Sequence, residues 1–306
     1  MSVIVVCGAT ATGKSEIALS LATEFNGEII NADSMQLYKG MDIGTAKLSV
    51  EERKGIPHHL LDVLDVSEDA SVAWYQSNAR SLIAEIESRG KLALIVGGTG
   101  LYIKAILDDL NFPDTDQEVR ARLNAMAENI GAPAMHERLA KLDPAAALAI
   151  DPQNLRRVIR ALEVIEITGK PFTANLPRKE STLYPEARQF GLAMDRPSLA
   201  KRIDERVERM WEEGLIAETF ALIDSGIRNG RTAQLALGYA QALKFIDGEI
   251  TEDQAKEDTK RATRHYARRQ ETWFSRDNRI QWISPSRPRL TAISELMAKP
   301  AFRING

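Results

Sequence analysis

The string Gly8-Ala9-Thr10-Ala11-Thr12-Gly13-Lys14-Ser15 constrains this chain more than any other. It follows Val3-Ile4-Val5-Val6-Cys7, a short apolar run rich in β-branched residues that suits a strand covered on both faces. It precedes Ile17, Ala18, Leu21, Ala22 and Phe25, which recur at helical spacing. Strand, glycine-bounded loop and helix start together complete the phosphate-binding P-loop pattern. In such a loop the backbone N–H groups and the helix N-terminus cradle an anion. Lys14 adds a point charge there, and the Ser15 hydroxyl suits Mg²⁺. Residues 8–15 therefore predict a site for a diphosphate or triphosphate group.

The remaining pattern supplies a frame for that loop. Gly27 ends the first helix, and Glu28-Ile29-Ile30-Asn31-Ala32 reads as a second strand, with a further strand expected over 59–63. A helix is expected over 74–88, with Leu82, Ile83 and Ile86 facing inward and Gly90 closing it. Leu92-Ala93-Leu94-Ile95-Val96 is another buried strand, running into Gly97-Gly98-Thr99-Gly100. Alternating strands and helices predict a parallel sheet. The texture changes after Phe112, because eight of the twelve prolines fall between Pro113 and Pro197, Pro177 among them. Between these prolines the patterns are helical, the clearest being Leu155, Val158, Ile159 and Leu162, and no buried strand is expected before 190–194. Helical patterning returns over 199–223 and 252–276, and a late strand is expected over 280–283. The expected fold class is α/β: a P-loop NTPase-like parallel sheet core from 1–112 and 188–306, with a small helical domain inserted at 113–187. A chain of 306 residues is long enough for both.

Composition narrows the function classes. Cys7 is the only cysteine, which excludes a disulfide framework and a cysteine-based zinc site. The apolar runs are too short for a membrane span or a signal peptide, so a cytoplasmic protein without membrane contact is expected. A net charge of −3 excludes a uniformly basic surface but leaves local basic stripes open. The strand at 92–96 ends without the carboxylate that usually holds Mg²⁺ in an ATPase or GTPase. No guanine-reading string is present, the nearest being Ala140-Lys141-Leu142-Asp143. The loop is thus free to hold the diphosphate of something other than a nucleotide.

Asp33 and Ser34 fall at the carboxyl end of the second strand, the edge at which doubly wound sheets bind ligands. Asp33 reads either as a proton acceptor beside the cradle or as a turn residue. Thr99, after two glycines at another strand end, could point into the same cleft. Arg156, Arg157 and Arg160 lie opposite an apolar helix stripe, either as a solvated face or as phosphate contacts. Arg202, Arg206 and Arg209 share a helix side, read either as surface ion pairing with Glu205 and Glu208 or, for Arg206, as clamping diphosphate. In the stretch 260–274, Arg261, Arg264, His265 and Arg268 line one face, which suggests a helix directed at RNA, while Ala262, Tyr266, Trp273 and Phe274 are expected to pack inward.

Taken together, these strings resemble the tRNA dimethylallyltransferases, also called tRNA isopentenyltransferases. The matching pieces are the loop at 8–15, Asn31-Ala32-Asp33-Ser34-Met35-Gln36-Leu37-Tyr38, Met41-Asp42-Ile43-Gly44-Thr45-Ala46-Lys47 and Pro57-His58-His59-Leu60-Leu61-Asp62-Val63. They continue with Val96-Gly97-Gly98-Thr99-Gly100-Leu101-Tyr102, Arg160-Ala161-Leu162-Glu163-Val164, Leu237-Gly238-Tyr239 and Tyr266-Ala267-Arg268-Arg269-Gln270-Glu271-Thr272-Trp273-Phe274. They occur in family order over nearly the whole chain. The resemblance implies transfer of a dimethylallyl group from dimethylallyl diphosphate to the exocyclic amine of the adenosine adjacent to the anticodon in tRNA. It implies a donor held by Gly8, Ala9, Thr10, Ala11, Thr12, Gly13, Lys14 and Ser15, with Mg²⁺ on Ser15, Asp33 as general base and Arg206 assisting the diphosphate. It implies contacts to the tRNA anticodon stem-loop from Asp33, Ser34, Met35, Gln36, Thr99, Arg120, Arg156, Arg157, Val158, Ile159, Arg160, Gly238 and Tyr239, by a cytoplasmic monomer. It also implies a reaction enclosed between core and helical domain, the target adenosine leaving its stack to react. Many members carry a basic residue directly after Gly-Tyr, where this chain has Ala240.

Three other readings share some of these residues. A P-loop small-molecule kinase would use the same cradle for ATP but gives the basic stretch at 260–274 no task. An adenylate isopentenyltransferase would use the same donor with free nucleotide as acceptor, which gives the helical insertion no task. An RNA-binding P-loop module without chemistry leaves Asp33 unused beside the cradle.

Overall fold

The structure, a computed structural model, describes residues 3–175 and 182–298. Pro177 and the rest of 176–181, within the expected insertion, lie outside the described residues, as do 1–2 and 299–306. The chain opens with strand β1 (Val3–Cys7), helix α1 (Lys14–Glu24), strands β2 (Gly27–Asn31) and β3 (His58–His59), helix α2 (Val72–Ser88), strand β4 (Leu92–Gly97) and helix α3 (Gly100–Leu107). Helices α4 (Gln117–Leu142), α5 (Pro144–Ala149) and α6 (Leu155–Thr168) follow. Strand β5 (Arg188–Leu192) returns to the sheet, followed by helices α7 (Arg196–Glu212), α8 (Leu215–Asp224), α9 (Tyr239–Ile246) and α10 (Glu252–Phe274). Strand β6 (Ile280–Ile283) and helix α11 (Arg289–Met297) complete the described chain. It divides into two compact units, Met1–Leu107 with Tyr184–Gly306, and Asp108–Leu183.

In the first unit the six strands pair in the order β3-β2-β4-β1-β5-β6, and every pairing is parallel. Side chains alternate across a strand, so the unbroken apolar run of β1 feeds two cores. Val3, Val5 and Cys7 pack with Tyr75, Ile83 and Ile103 of α2 and α3. Ile4 and Val6 pack on the other face with Ala18 and Leu21 of α1 and Ile293 of α11. Burial on both faces explains why β1, β2 and β4 show no polar alternation.

Two expected elements differ. The strand expected at 59–63 is confined to His58–His59, because Leu60 and Asp62 adopt left-handed backbone (φ 59° and 56°) and turn the chain away from β2. The helical pattern expected over 199–223 is two helices, α7 and α8, parted at Gly214. Among the described residues no helix is long and apolar enough to cross a membrane.

In the second unit, α4 bends where Gly131 leaves helical geometry (φ 80°, ψ 166°), two residues before Pro133. Leu123, Met135 and Leu139 of α4 pack with Val158, Ile159 and Leu162 of α6. Glu163 of α6, fully buried, accepts hydrogen bonds from Arg120 (2.5 and 3.2 Å), Arg160 (2.9 Å) and the Asp116 amide (3.1 Å). A carboxylate buried this deeply is tolerable because charged donors surround it.

Candidate active site

Strand order decides what can meet. Because β2, β4 and β1 are adjacent and parallel, their carboxyl ends share one edge, and the segments leaving them stand side by side. These are the Asp33 segment after β2, Gly98-Thr99 after β4 and the loop at 8–15 after β1. The Thr99 amide donates to the Ala32 carbonyl at 3.0 Å, and the Ala32 amide to the Val96 carbonyl at 2.7 Å. A side chain at 97 would break this seam, since a Cβ on Gly97 would fall 2.2 Å from the Ala32 carbonyl carbon.

The loop after β1 is braced from within. The Thr12 hydroxyl and the Lys14 ammonium each donate to the Ala9 carbonyl at 2.8 Å. Lys14 opens α1, so the helix N-terminus and its ammonium face one region. Burial pulls the Lys14 ammonium down to about 8, with the negative charge of Asp33 opposing that shift. Arg206 of α7 reaches the loop as well, its guanidinium donating to the Thr10 hydroxyl at 3.2 Å. Lys14, Arg206 and the helix start thus leave the loop strongly electropositive, fitting an anion with more than one charge.

Asp33 is held by its own neighbours. Its amide donates to Asn31 Oδ1 at 2.9 Å, and its carboxylate accepts the Met35 amide at 3.0 Å. The buried Asn31 amide group donates to the carbonyls of Asp33 and Leu60, both at 2.9 Å. Desolvation raises the Asp33 carboxyl above its ordinary range, although the Met35 amide and the charges of Lys14 and Arg206 act against it. Thr99 Oγ1 accepts the Ser34 amide at 3.1 Å, joining the ends of β2 and β4 a second time. Gln36 donates to the Thr45 carbonyl at 3.1 Å. Beneath them Tyr75 stacks on Tyr102 with ring centroids 3.9 Å apart, and its hydroxyl donates to the Asn31 carbonyl at 2.8 Å. A cleft of about 810 Å³ opens here, lined by Lys14, Ser15, Asp33, Gln36 and Arg206 among others.

The expected tRNA contacts separate into three groups. Asp33, Ser34, Met35, Gln36 and Thr99 gather at the sheet edge, in the first unit. Arg156 and Arg157 are exposed on α6 of the second unit, and among the described residues no ion pair engages either. The others are held within the protein. Val158 and Ile159 lie in the core of the second unit, since they form the apolar stripe of α6. Arg120 and Arg160 of that unit are drawn onto Glu163. Gly238 and Tyr239 are buried in the first unit, where the Tyr239 hydroxyl donates to Glu218 at 2.5 Å and accepts the Gly44 amide at 3.1 Å. That pair holds the chain at 42–44, because Glu218 also accepts the amides of Asp42 and Ile43. Burial and the Glu218 charge push the Tyr239 hydroxyl well above its ordinary range.

Helix α10 also turns differently from the expected wheel. Ala255, Thr259, Ala267, Gln270 and Phe274 face inward, whereas Trp273 is 41% exposed. Arg264 is paired with Asp204 and Arg261 with Asp258. Three residues without an assigned role in the sequence touch the P-loop. Arg202 donates to the Ala11 carbonyl at 3.4 Å, Arg289 to the Thr12 carbonyl, and Gln270 accepts the Thr10 amide at 2.8 Å. Only Arg202 carried a signal, through its shared helix side with Arg206. Both Arg289 and Gln270 come from distant parts of the chain; nothing local marks Arg289, and Gln270 stands only within the matching string at 266–274, without a role.

With this geometry in hand, likeness to known proteins is specific. The IPP transferase family model matches residues 36–277. A tRNA dimethylallyltransferase from Thermobifida fusca is 56% identical over 294 residues, covering 94% of this chain and 92% of the relative. The solved tRNA isopentenylpyrophosphate transferase from Bacillus halodurans is 42% identical with a TM-score of 0.72, covering 97% of this chain and 95% of its own. A eukaryotic dimethylallyltransferase solved acting on tRNA is 27% identical with a TM-score of 0.83, covering 99% of this chain and 81% of its own. The chain belongs to the IPP transferase family and is a prenyltransferase enzyme.

Proposed function

We infer that this enzyme transfers the dimethylallyl group of dimethylallyl diphosphate to the exocyclic amine of the adenosine adjacent to the anticodon in tRNA. The observation that carries the reading is the meeting of an electropositive anion cradle, a desolvated carboxylate and the Thr99 segment at one sheet edge. The loop N–H groups of 8–15, Lys14 and Arg206 bind the diphosphate of the donor. As the amine nitrogen forms its bond to the prenyl carbon, the carbon–oxygen bond to diphosphate breaks, and Asp33 takes the proton that the nitrogen loses. The upward shift of Asp33 makes it a stronger base than an ordinary aspartate. Charge that grows on the departing diphosphate falls on donors already in place, so little reorganisation is needed. Ser34, Met35, Gln36 and Thr99 stand where an adenine extruded toward Asp33 would be received.

A divalent cation fits the donor set. Ser15, in the first turn of α1, carries a hydroxyl that lines the cleft, and Mg²⁺ favours oxygen donors, takes phosphate oxygens and keeps several waters. Among the described residues no group of three or more His, Cys, Asp or Glu is gathered to hold a metal without such help. Mg²⁺ on Ser15 and the diphosphate would supply neutralisation of the leaving group's charge. The helical unit contributes Arg156 and Arg157 as phosphate contacts to the anticodon stem-loop. The enzyme acts as a monomer in the cytoplasm, where its tRNA acceptor resides.

Labelled dimethylallyl diphosphate, Mg²⁺ and unmodified tRNA test this reading, with AMP and a tRNA lacking the target adenosine as parallel acceptors. Label is expected in the adenosine-bearing tRNA alone. Label in AMP would move the enzyme to a free-nucleotide acceptor, and ATP turnover without prenyl transfer would favour the kinase.

A further inference from the structure

Helix α10 crosses the carboxyl edge of the sheet with Gln270, 5% exposed, turned into it. Gln270 Oε1 accepts the Thr10 amide at 2.8 Å, and Gln270 Nε2 donates to the Gly98 carbonyl at 2.9 Å. One partner belongs to the P-loop after β1, the other to the chain leaving β4. A side-chain amide carries a donor and an acceptor together, which is what this pair of backbone groups requires. The space at 98 is given over to it, since a Cβ on Gly98 would lie 2.1 Å from Gln270 Nε2. The Thr10 amide is thereby directed at a protein oxygen, while Arg206 holds the hydroxyl of the same residue.

We propose that Gln270 is a positioning residue that ties the diphosphate cradle to the strand end bearing Thr99, and so fixes the separation between prenyl donor and acceptor amine. The proposal rests on the reading of 8–15 as the donor site and of Thr99 as part of the acceptor site. Gln270 touches neither reactant in this role. Bond formation requires the reacting atoms to approach within about 3–3.5 Å, and a misplacement of about 1 Å can cost on the order of a hundredfold in rate. Losing the tie therefore slows transfer without weakening either binding step.

Gln270→Met keeps length and volume but makes no hydrogen bond. Gln270→Glu keeps the acceptor for the Thr10 amide but sets an oxygen against the Gly98 carbonyl. Each variant is compared with the unaltered enzyme in label transfer to tRNA, in KM for dimethylallyl diphosphate, in Kd for inorganic diphosphate and in thermal unfolding. The expected result is a fall in kcat of about 10- to 100-fold in both, with KM and Kd within about threefold of the unaltered enzyme. If Gln270→Met does not fold, Gln270→Glu carries the same comparison. Unchanged kcat, or a loss confined to diphosphate affinity, would overturn the positioning role while transfer by the unaltered enzyme left the functional reading intact. No transfer by the unaltered enzyme would overturn both together.

Discussion

Asp33→Asn separates chemistry from architecture at the centre of the site. Asparagine retains an Oδ1 that can accept the Met35 amide, a bond of 3.0 Å in the structure. The link from the Asp33 amide to Asn31 uses the backbone and is unaffected. Folding should therefore change by no more than about 1 kcal/mol, the usual worth of one hydrogen bond. The loss falls on proton transfer, for which a positioned base supplies roughly 10²- to 10⁴-fold, or about 3–5 kcal/mol of barrier. A second effect follows from the electrostatics. Asp33 opposes the burial that lowers the Lys14 ammonium to about 8, so its neutralisation should lower Lys14 further. The assay is single-turnover transfer of label to tRNA across pH, alongside inorganic diphosphate binding and denaturant unfolding. The account expects a rate lower by two to four orders of magnitude, diphosphate affinity that falls off at a lower pH than in the unaltered enzyme, and a near-normal unfolding midpoint. Transfer within threefold of the unaltered enzyme would refute the assignment of Asp33 as base.

Three further outcomes are expected. In the unaltered enzyme, kcat/KM for the donor should fall on the alkaline side as Lys14 loses its proton near pH 8, and on the acid side at a higher pH than an ordinary aspartate would give, because Asp33 is raised; no alkaline fall by pH 9, or an acid limb no higher than that of an ordinary aspartate, would contradict the respective assignment. Burial would raise the Glu28 carboxyl, but hydrogen bonds from Lys91, His59 and Arg89 outweigh it and hold the group at about 2. Its stabilising contribution is thus present above the unfolded value and lost as pH falls toward 2, so Glu28→Gln should lower denaturant stability by about 3 kcal/mol at pH 7, with the difference closing in acid; a difference independent of pH would argue against the ionic account. Arg156→Gln and Arg157→Gln should each weaken tRNA binding and reduce its salt slope by about one, whereas Arg120→Gln, which leaves the buried Glu163 with Arg160 as its one guanidinium partner, should mainly destabilise the helical unit; titrations against tRNA at several salt concentrations and proteolysis separate these effects.

The legibility of the sequence followed the range of the interactions. β1, the loop at 8–15 and the start of α1 were readable because strand propensity, glycine spacing and helix periodicity are local, and they place Lys14 and Ser15 without knowledge of anything distant. Asp33 and Thr99 were readable through one further step, that parallel strands align their carboxyl ends. The edge of the sheet was less so. His58–His59 is only two residues long because left-handed backbone at Leu60 and Asp62 overrides an apolar run. Tyr239 offered no sign that its hydroxyl would be spent on Glu218 and Gly44, residues 21 and 195 positions away. Gln270 and Arg289 lie 260 and 277 positions from the loop groups they hold, and no local periodicity reports such contacts. The exposure of Trp273 shows the same limit, since a one-residue rotation of a helical wheel changes which aromatic side chain faces the core.

The central claim is that the cradle at 8–15 holds a prenyl diphosphate whose carbon is passed to a tRNA amine. Its most direct measurement is the stoichiometry of one reaction mixture containing enzyme, Mg²⁺, dimethylallyl diphosphate, ATP and unmodified tRNA. Released diphosphate is counted against prenylated adenosine recovered by nucleoside digestion and mass spectrometry. The account predicts one diphosphate for each prenyl group on the amine of the adenosine beside the anticodon, with ATP untouched. Diphosphate release without prenylated adenosine, or ATP consumption in its place, would contradict it.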